Sequence, residues 1–237
     1  MLREQRGAER CQRRPHFSFS EELLTRFLWL ALACLVPAQG AVVYSNGGPT
    51  ADIAVSLTYA TGGTLFSLPG TVTVAGIRFW IVGLDADPST SFSGDVYYAL
   101  HVNNVANVGT KLFDGTVSGL TSTATGIASQ NGVGGVHMVE FNLPTPMALG
   151  PGGFWLVLHE GTSLSTYDGT ELAWQSSGAG YSLEGNIGTL PDVGTNQAAA
   201  FELVNTPFST STPEPATVGL TGVALVAAAA VRRWTRP

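Results

Sequence analysis

The stretch TVTVAGIRFWIV, residues 71–82, decides the fold class. Val72 and Val74 share one side of an extended chain, and beyond Gly76 the residues Ile77, Phe79 and Ile81 share a side. A period of two is the mark of a strand with one covered face. The change of phase at Ala75-Gly76 predicts a bulge that swaps the faces.

The pattern repeats in both directions. Residues 96–102, VYYALHV, set Val96, Tyr98, Leu100 and Val102 against Tyr97, Ala99 and His101. Residues 111–117 and 136–143 alternate in the same way, and residues 154–159, FWLVLH, are apolar on both faces until their end, as suits a central strand covered on both sides. Shorter strands are expected at Tyr44 and at residues 56–59, 65–68, 172–174, 181–183 and 199–204. Gly, Pro and Asn separate these runs, and few Lys, Glu or Gln are present to clothe a helix surface. The expectation is an all-β protein, an antiparallel β-sandwich over residues 41–204, with the jelly roll as its expected version. No internal repeat of fixed period points to a propeller or β-helix.

Charge separates this body from both ends of the chain. The full chain of 237 residues has a formal charge of -6. Six cations, Arg3, Arg6, Arg10, Arg13, Arg14 and Arg26, precede the first apolar run, and three, Arg232, Arg233 and Arg236, stand at the C-terminus. From Ala41 to Thr212 only Arg78 and Lys111 remain against twelve acids, a net of -10. Such a surface repels phosphate backbones, which argues against a nucleic-acid partner. Both cysteines, Cys11 and Cys34, lie before residue 41, so the body has neither disulfides nor thiol ligands.

Residues 27–36, FLWLALACLV, form an apolar run too short to span a bilayer. Arg26 precedes it and Pro37-Ala38-Gln39-Gly40-Ala41 follows it, which reads as a signal peptide cut between Gly40 and Ala41, with a cut after Ala38 as second choice. The polar stretch ahead of the run is long for such a leader, and Ala31 stands where a lipoprotein signal has Leu. At the other end, NTPFSTST, residues 205–212, is a spacer expected to be extended and exposed. Pro213-Glu214-Pro215 comes next, a stiff unpaired segment because both prolines lack an amide hydrogen. Sixteen residues without a charge, 216–231, lead to Arg232, Arg233 and Arg236, which the positive-inside rule keeps on the cytoplasmic side.

This three-part terminus, residues 213–237, resembles the PEP-CTERM sorting signal of Gram-negative-type bacteria: a Pro-Glu-Pro motif, a transmembrane helix and an Arg-rich tail. Thr212 stands where Val is common in such signals, and the apolar run is richer in Ala than in Leu. The resemblance implies an exosortase, an integral-membrane cysteine protease or transpeptidase, as the partner that reads Pro213, Glu214 and Pro215. It further implies export to the envelope, outer surface or extracellular matrix, in association with exopolysaccharide and biofilm. The body resembles the single β-sandwich domains that precede such signals, through VVYSNGG (42–48), TVAGIRFWIVG (73–83), SGDVYYALH (93–101) and GPGGFWLVLHEG (150–161).

Within the body the sequence offers three kinds of chemistry. Residues 85–95, DADPSTSFSGD, gather oxygen ligands, with Asp85, Asp87 and Asp95 as calcium candidates beside the reading of a solvated turn. An EF-hand is excluded, since Thr90 replaces the turn glycine and Val96 the bidentate Glu. His101, His137 and His159 sit on three separate strands without a metal-binding spacing, and no other cofactor is expected. Trp80 and Trp155 belong to strong strands, whereas Trp174 and Tyr167 fall in a Gly/Ser-rich region and are candidates for exposed sugar-stacking platforms.

Catalysis has less to stand on. There is no Gly-x-Ser-x-Gly elbow, and Glu140, which shares a face with Val136, Met138 and Asn142, is the one acid expected to point inward as a catalytic carboxyl would. The expected role is therefore structural, adhesive or glycan-binding, with a polysaccharide-active enzyme on the same anchor as the alternative.

Overall fold

The alternation in residues 71–82 becomes a strand twelve residues long, and it lies between partners on both edges. The computed structural model describes residues 41–208 except 51, 106 and 167–170; the leader and the sorting signal lie outside the described residues. The described part belongs to one compact unit, Ala38–Thr210.

In chain order its strands are β1 (Val42–Ser45), β2 (Ile53–Ser56), β3 (Ala60–Leu68), β4 (Val72–Gly83), β5 (Val96–Asn104), β6 (Asn107–Val117), β7 (Ser122–Ala124), β8 (Val133–Leu149), β9 (Gly152–Glu160), β10 (Leu172–Asn186), β11 (Val193–Ala199) and β12 (Phe201–Val204). A single turn of helix, α1 (Pro88–Ser91), interrupts them. Every strand pairing is antiparallel, so the expectation of an all-β antiparallel protein holds.

The pairings form two sets. In one, β1, β12, β4, β8 and β7 follow one another, and the start of β10 extends β4 beyond β12 and carries β2. In the other, the order is β6, β5, β9, β3, β10 and β11. Strand β10 belongs to both. Its residues Ala173–Gln175 face β2, whereas Ser182–Asn186 face β3. Between them Ser176-Ser177-Gly178-Ala179-Gly180 supplies small side chains, and Gly178 takes a φ of 109°, which lets the strand change partners without ending.

One apolar core draws on both sets. Ile77, Phe79 and Ile81 of β4 join Val139 and Phe141 of β8, Trp174 of β10 and Phe201 of β12, and these meet Tyr98 and Leu100 of β5, Leu156 and Leu158 of β9 and Phe66 of β3. The Tyr98 and Phe141 rings, 5.1 Å apart, are one seam between the sets, and Phe66 against Phe201 at 5.4 Å is another.

The bulge read from Ala75-Gly76 is present as a register shift between Val74, opposite Met147, and Gly76, opposite Asn142. On both sides of it the chain feeds the core, with Val74 and Ile77 fully buried. Strand β9 is buried on both faces as expected: Leu156 and Leu158 enter the core, while Trp155 on the opposite face packs edge-on to Tyr181.

Candidate functional site

The alternation that buries Ile77 and Phe79 turns Arg78 outward, and the same rule turns Glu140 and Glu202 outward on the two flanking strands. Register places both acids directly opposite Arg78. The guanidinium bonds to Glu140 Oε1 through Nε at 2.6 Å and Nη2 at 2.5 Å, and to Glu202 Oε2 through Nη1 at 2.6 Å. Burial by itself would lower the Arg78 pKa, but hydrogen bonds and charge from Glu140, then Glu202, outweigh it and raise the value.

Two features extend this charged row. Beside it on β8, the Asn142 side chain bonds to the backbone of Phe208, whose ring centroid is 5.4 Å from Arg78 Cζ. A shallow recess of about 200 Å³, lined by Gly119, Leu120, Thr121, Thr123, Met138 and Glu140, opens on the other side. The arrangement offers a carboxylate and hydroxyls to a polar ligand.

Glu140 therefore does not point inward. The residues flanking it, Val139 and Phe141, occupy the inward positions, and Glu140 faces out against Arg78. A glycosidase sets a proton-donating carboxyl across an open cleft from a second one. Glu140 and Glu202 instead share one guanidinium.

Trp174 is also a correction. The Gly/Ser-rich run after it is strand rather than loop, so Trp174 takes an inward position on β10 and is fully buried. Its Nε1 donates to the carbonyl of Ala200, and full burial against Phe79 and Phe201 leaves no ring face for a sugar. Tyr167, the second aromatic candidate, lies outside the described residues.

The acidic loop residues turn to separate partners. Asp87 caps α1 by accepting from the Ser89 amide at 2.8 Å, and the Ser89 hydrogen bonds, followed by the His137 charge, lower its pKa. Asp85 Oδ1 accepts from the Glu171 amide at 3.0 Å, while Asp95 is tied through its backbone, its carbonyl accepting from the Gly161 amide at 2.8 Å. Among the described residues no three of His, Cys, Asp and Glu are grouped to hold a metal ion.

The histidines also stay apart. His101 Nδ1 is 2.9 Å from the Gly109 carbonyl, and His159 lies between the carbonyls of Ala60 at 3.2 Å and Thr166 at 2.8 Å. His137 joins a group whose members come from β7, β8 and the loop before α1, so no local spacing announces it. Its Nδ1 is 3.1 Å from Ser122 Oγ and its Nε2 is 3.5 Å from Asp87 Oδ1. The Ser122 hydroxyl also donates to the Pro88 carbonyl at 3.2 Å, so this Ser, His and Asp brace the loop against the sheet rather than present a free nucleophile.

A buried carboxylate holds the same loop from the other side. Glu160 accepts from Thr58 Oγ1 and from the Ser93 amide, each at 2.8 Å, and Thr58 Oγ1 in turn accepts from the Leu172 amide at 3.0 Å. One carboxylate thus ties three connections together.

At the expected leader junction, the Ala41 amide donates to Thr206 Oγ1 at 3.1 Å, and the Ala41 carbonyl accepts from the Asn205 amide at 3.0 Å. The other junction residue, Gly40, lies outside the described residues, as do Pro213, Glu214, Pro215, Arg232, Arg233 and Arg236. Among the described residues no helix is long and apolar enough to cross a membrane. No family model, curated protein or solved structure matches the chain.

Proposed function

We propose that the chain is an exported surface or matrix protein, delivered by a PEP-CTERM-type sorting step, whose body has a structural, adhesive or glycan-binding role. The observation that carries this reading is the order of Pro213-Glu214-Pro215, an uncharged run of sixteen residues and the Arg232 to Arg236 cluster at one terminus. Any one of these alone would carry little.

Further support comes from the body. It is strongly acidic, as suits a well-solvated surface. Its first and last strands pair with each other, Val42 opposite Val204, close to the expected boundaries at Ala41 and Val204.

Within the all-β architecture we assign the body to the jelly-roll class of β-sandwich. Taking β1, β3, β4, β5, β6, β8, β9 and β12 as strands one to eight, one set of pairings runs one, eight, three, six. The other runs two, seven, four, five, the order that two interlocked Greek keys produce. Strands β2, β7, β10 and β11 are then additions to the eight.

The test is replacement of Pro213-Glu214-Pro215 by three alanines, followed by cell fractionation. Retention of the unprocessed chain in the membrane fraction is expected. Surface delivery and processing unchanged from the parent would overturn the sorting reading.

A further inference from the structure

The composition of residues 205–208, Asn-Thr-Pro-Phe, gives no reason for order beyond the last strand, yet Phe208 is held from three directions. Asn142 Nδ2 donates to the Phe208 carbonyl at 2.9 Å, and Asn142 Oδ1 accepts from the Phe208 amide at 2.6 Å. A single side-chain amide thereby reproduces the two bonds that a neighbouring strand residue would make. The Arg78 guanidinium, itself fixed by Glu140 and Glu202, lies with Cζ 5.4 Å from the ring centroid, within cation–π range. Beneath the ring is Gly76, where an added Cβ would stand 2.8 Å from Phe208 Cε2 and 2.9 Å from the Phe141 carbonyl, so any larger residue would obstruct the site.

We propose that Gly76, Arg78 and Asn142 form a binding seat for an aromatic residue in extended chain, and that its ligand is the chain's own Phe208. The seat acts as a latch. Strand β12 has only four residues and lies between β1 and β4, so a pull on the chain that continues beyond it would peel it from one end. With Phe208 seated, the pull passes first into β8, a strand of seventeen residues, through Asn142, and into β4 through Arg78. The first four residues of the spacer, 205–208, then belong to the folded body.

Chymotrypsin tests the latch, because cutting after Phe208 requires the ring to leave its seat for the protease pocket. Cleavage of a transiently open site tracks the fraction of molecules that are open. With the full chain in detergent, the cut after Phe208 should be at least about tenfold slower than in a synthetic peptide of residues 203–212, and Asn142→Ala should recover much of that difference. Equal rates for the parent chain and the peptide would overturn the proposal. So would an Asn142→Ala chain that remains folded by circular dichroism and is as protected as the parent. Equal rates overturn the latch even if the variant does not fold.

Discussion

Trp174 Nε1 donates to the carbonyl of Ala200 at 2.7 Å, joining β10 to the residue that leads into β12. The ring also lies edge-on to Phe79 and to Phe201, each at 6.2 Å between centroids. Trp174→Ala would empty a fully buried indole site and leave the Ala200 carbonyl without its donor. A loss of about 3–5 kcal/mol is expected in chemical denaturation. A change under about 1 kcal/mol would contradict the placement of Trp174 in the core.

Glu171 carries an electrostatic cost in the folded state. Burial, then the charges of Asp85 and Glu184, raise its pKa. A raised value favours the protonated form, so the contribution to stability is full below the unfolded value and is lost as pH rises through the folded one. Glu171→Gln should therefore raise Tm at pH 7 by about 1–2 °C, with the gap to the parent closing as the pH falls toward 4. A lower Tm for the variant at pH 7 would contradict the like-charge account.

Tyr97 donates to Asp114 Oδ2 at 3.1 Å, and burial, followed by the Asp114 charge and hydrogen bond, pushes its pKa up to about 12. Stability tied to the neutral phenol is present below the ordinary value near 10 and is lost as pH rises through about 12. Subtracting the tyrosinate absorbance titration of Tyr97→Phe from that of the parent should isolate a group still neutral at pH 11. A midpoint near 10 would show that Asp114 does not hold the phenol.

Strands with regular alternation were legible, because period two survives in Ile77-Phe79-Ile81 and Val96-Tyr98-Leu100 whatever their partners. The reach of β10 was hidden, since Ser176 to Gly180 read as a break although the backbone continues through them. Strand β3 starts at Ala60 because Ala60 and Thr61 pair with β10 and Gly62-Gly63 pairs on both edges, and only packing explains glycine there: a Cβ on Gly62 would stand 2.6 Å from Val55 Cγ2. Near Tyr59 the short strand falls at Ile53–Ser56, earlier than the pattern suggested.

The candidate site was legible only in part. Alternation put Glu140 on one face with Met138 and Asn142, but which face was covered depended on the strands stacked across the core. Arg78, the one cation opposite both Glu140 and Glu202, needed the register of three strands to become visible. Trp174 was misplaced for the same reason as β10, a strand concealed by small residues. The Phe208 seat left no local signal, because Gly76, Arg78 and Asn142 acquire their meaning only once Phe208 folds back over them.

Export and sorting would both be written in the intact mass of the protein recovered from the cell surface. The recovered chain should start at Ala41 and lack the Arg232 to Arg236 cluster. A surface-delivered chain that keeps both the leader and the arginine tail would rule out PEP-CTERM-type sorting.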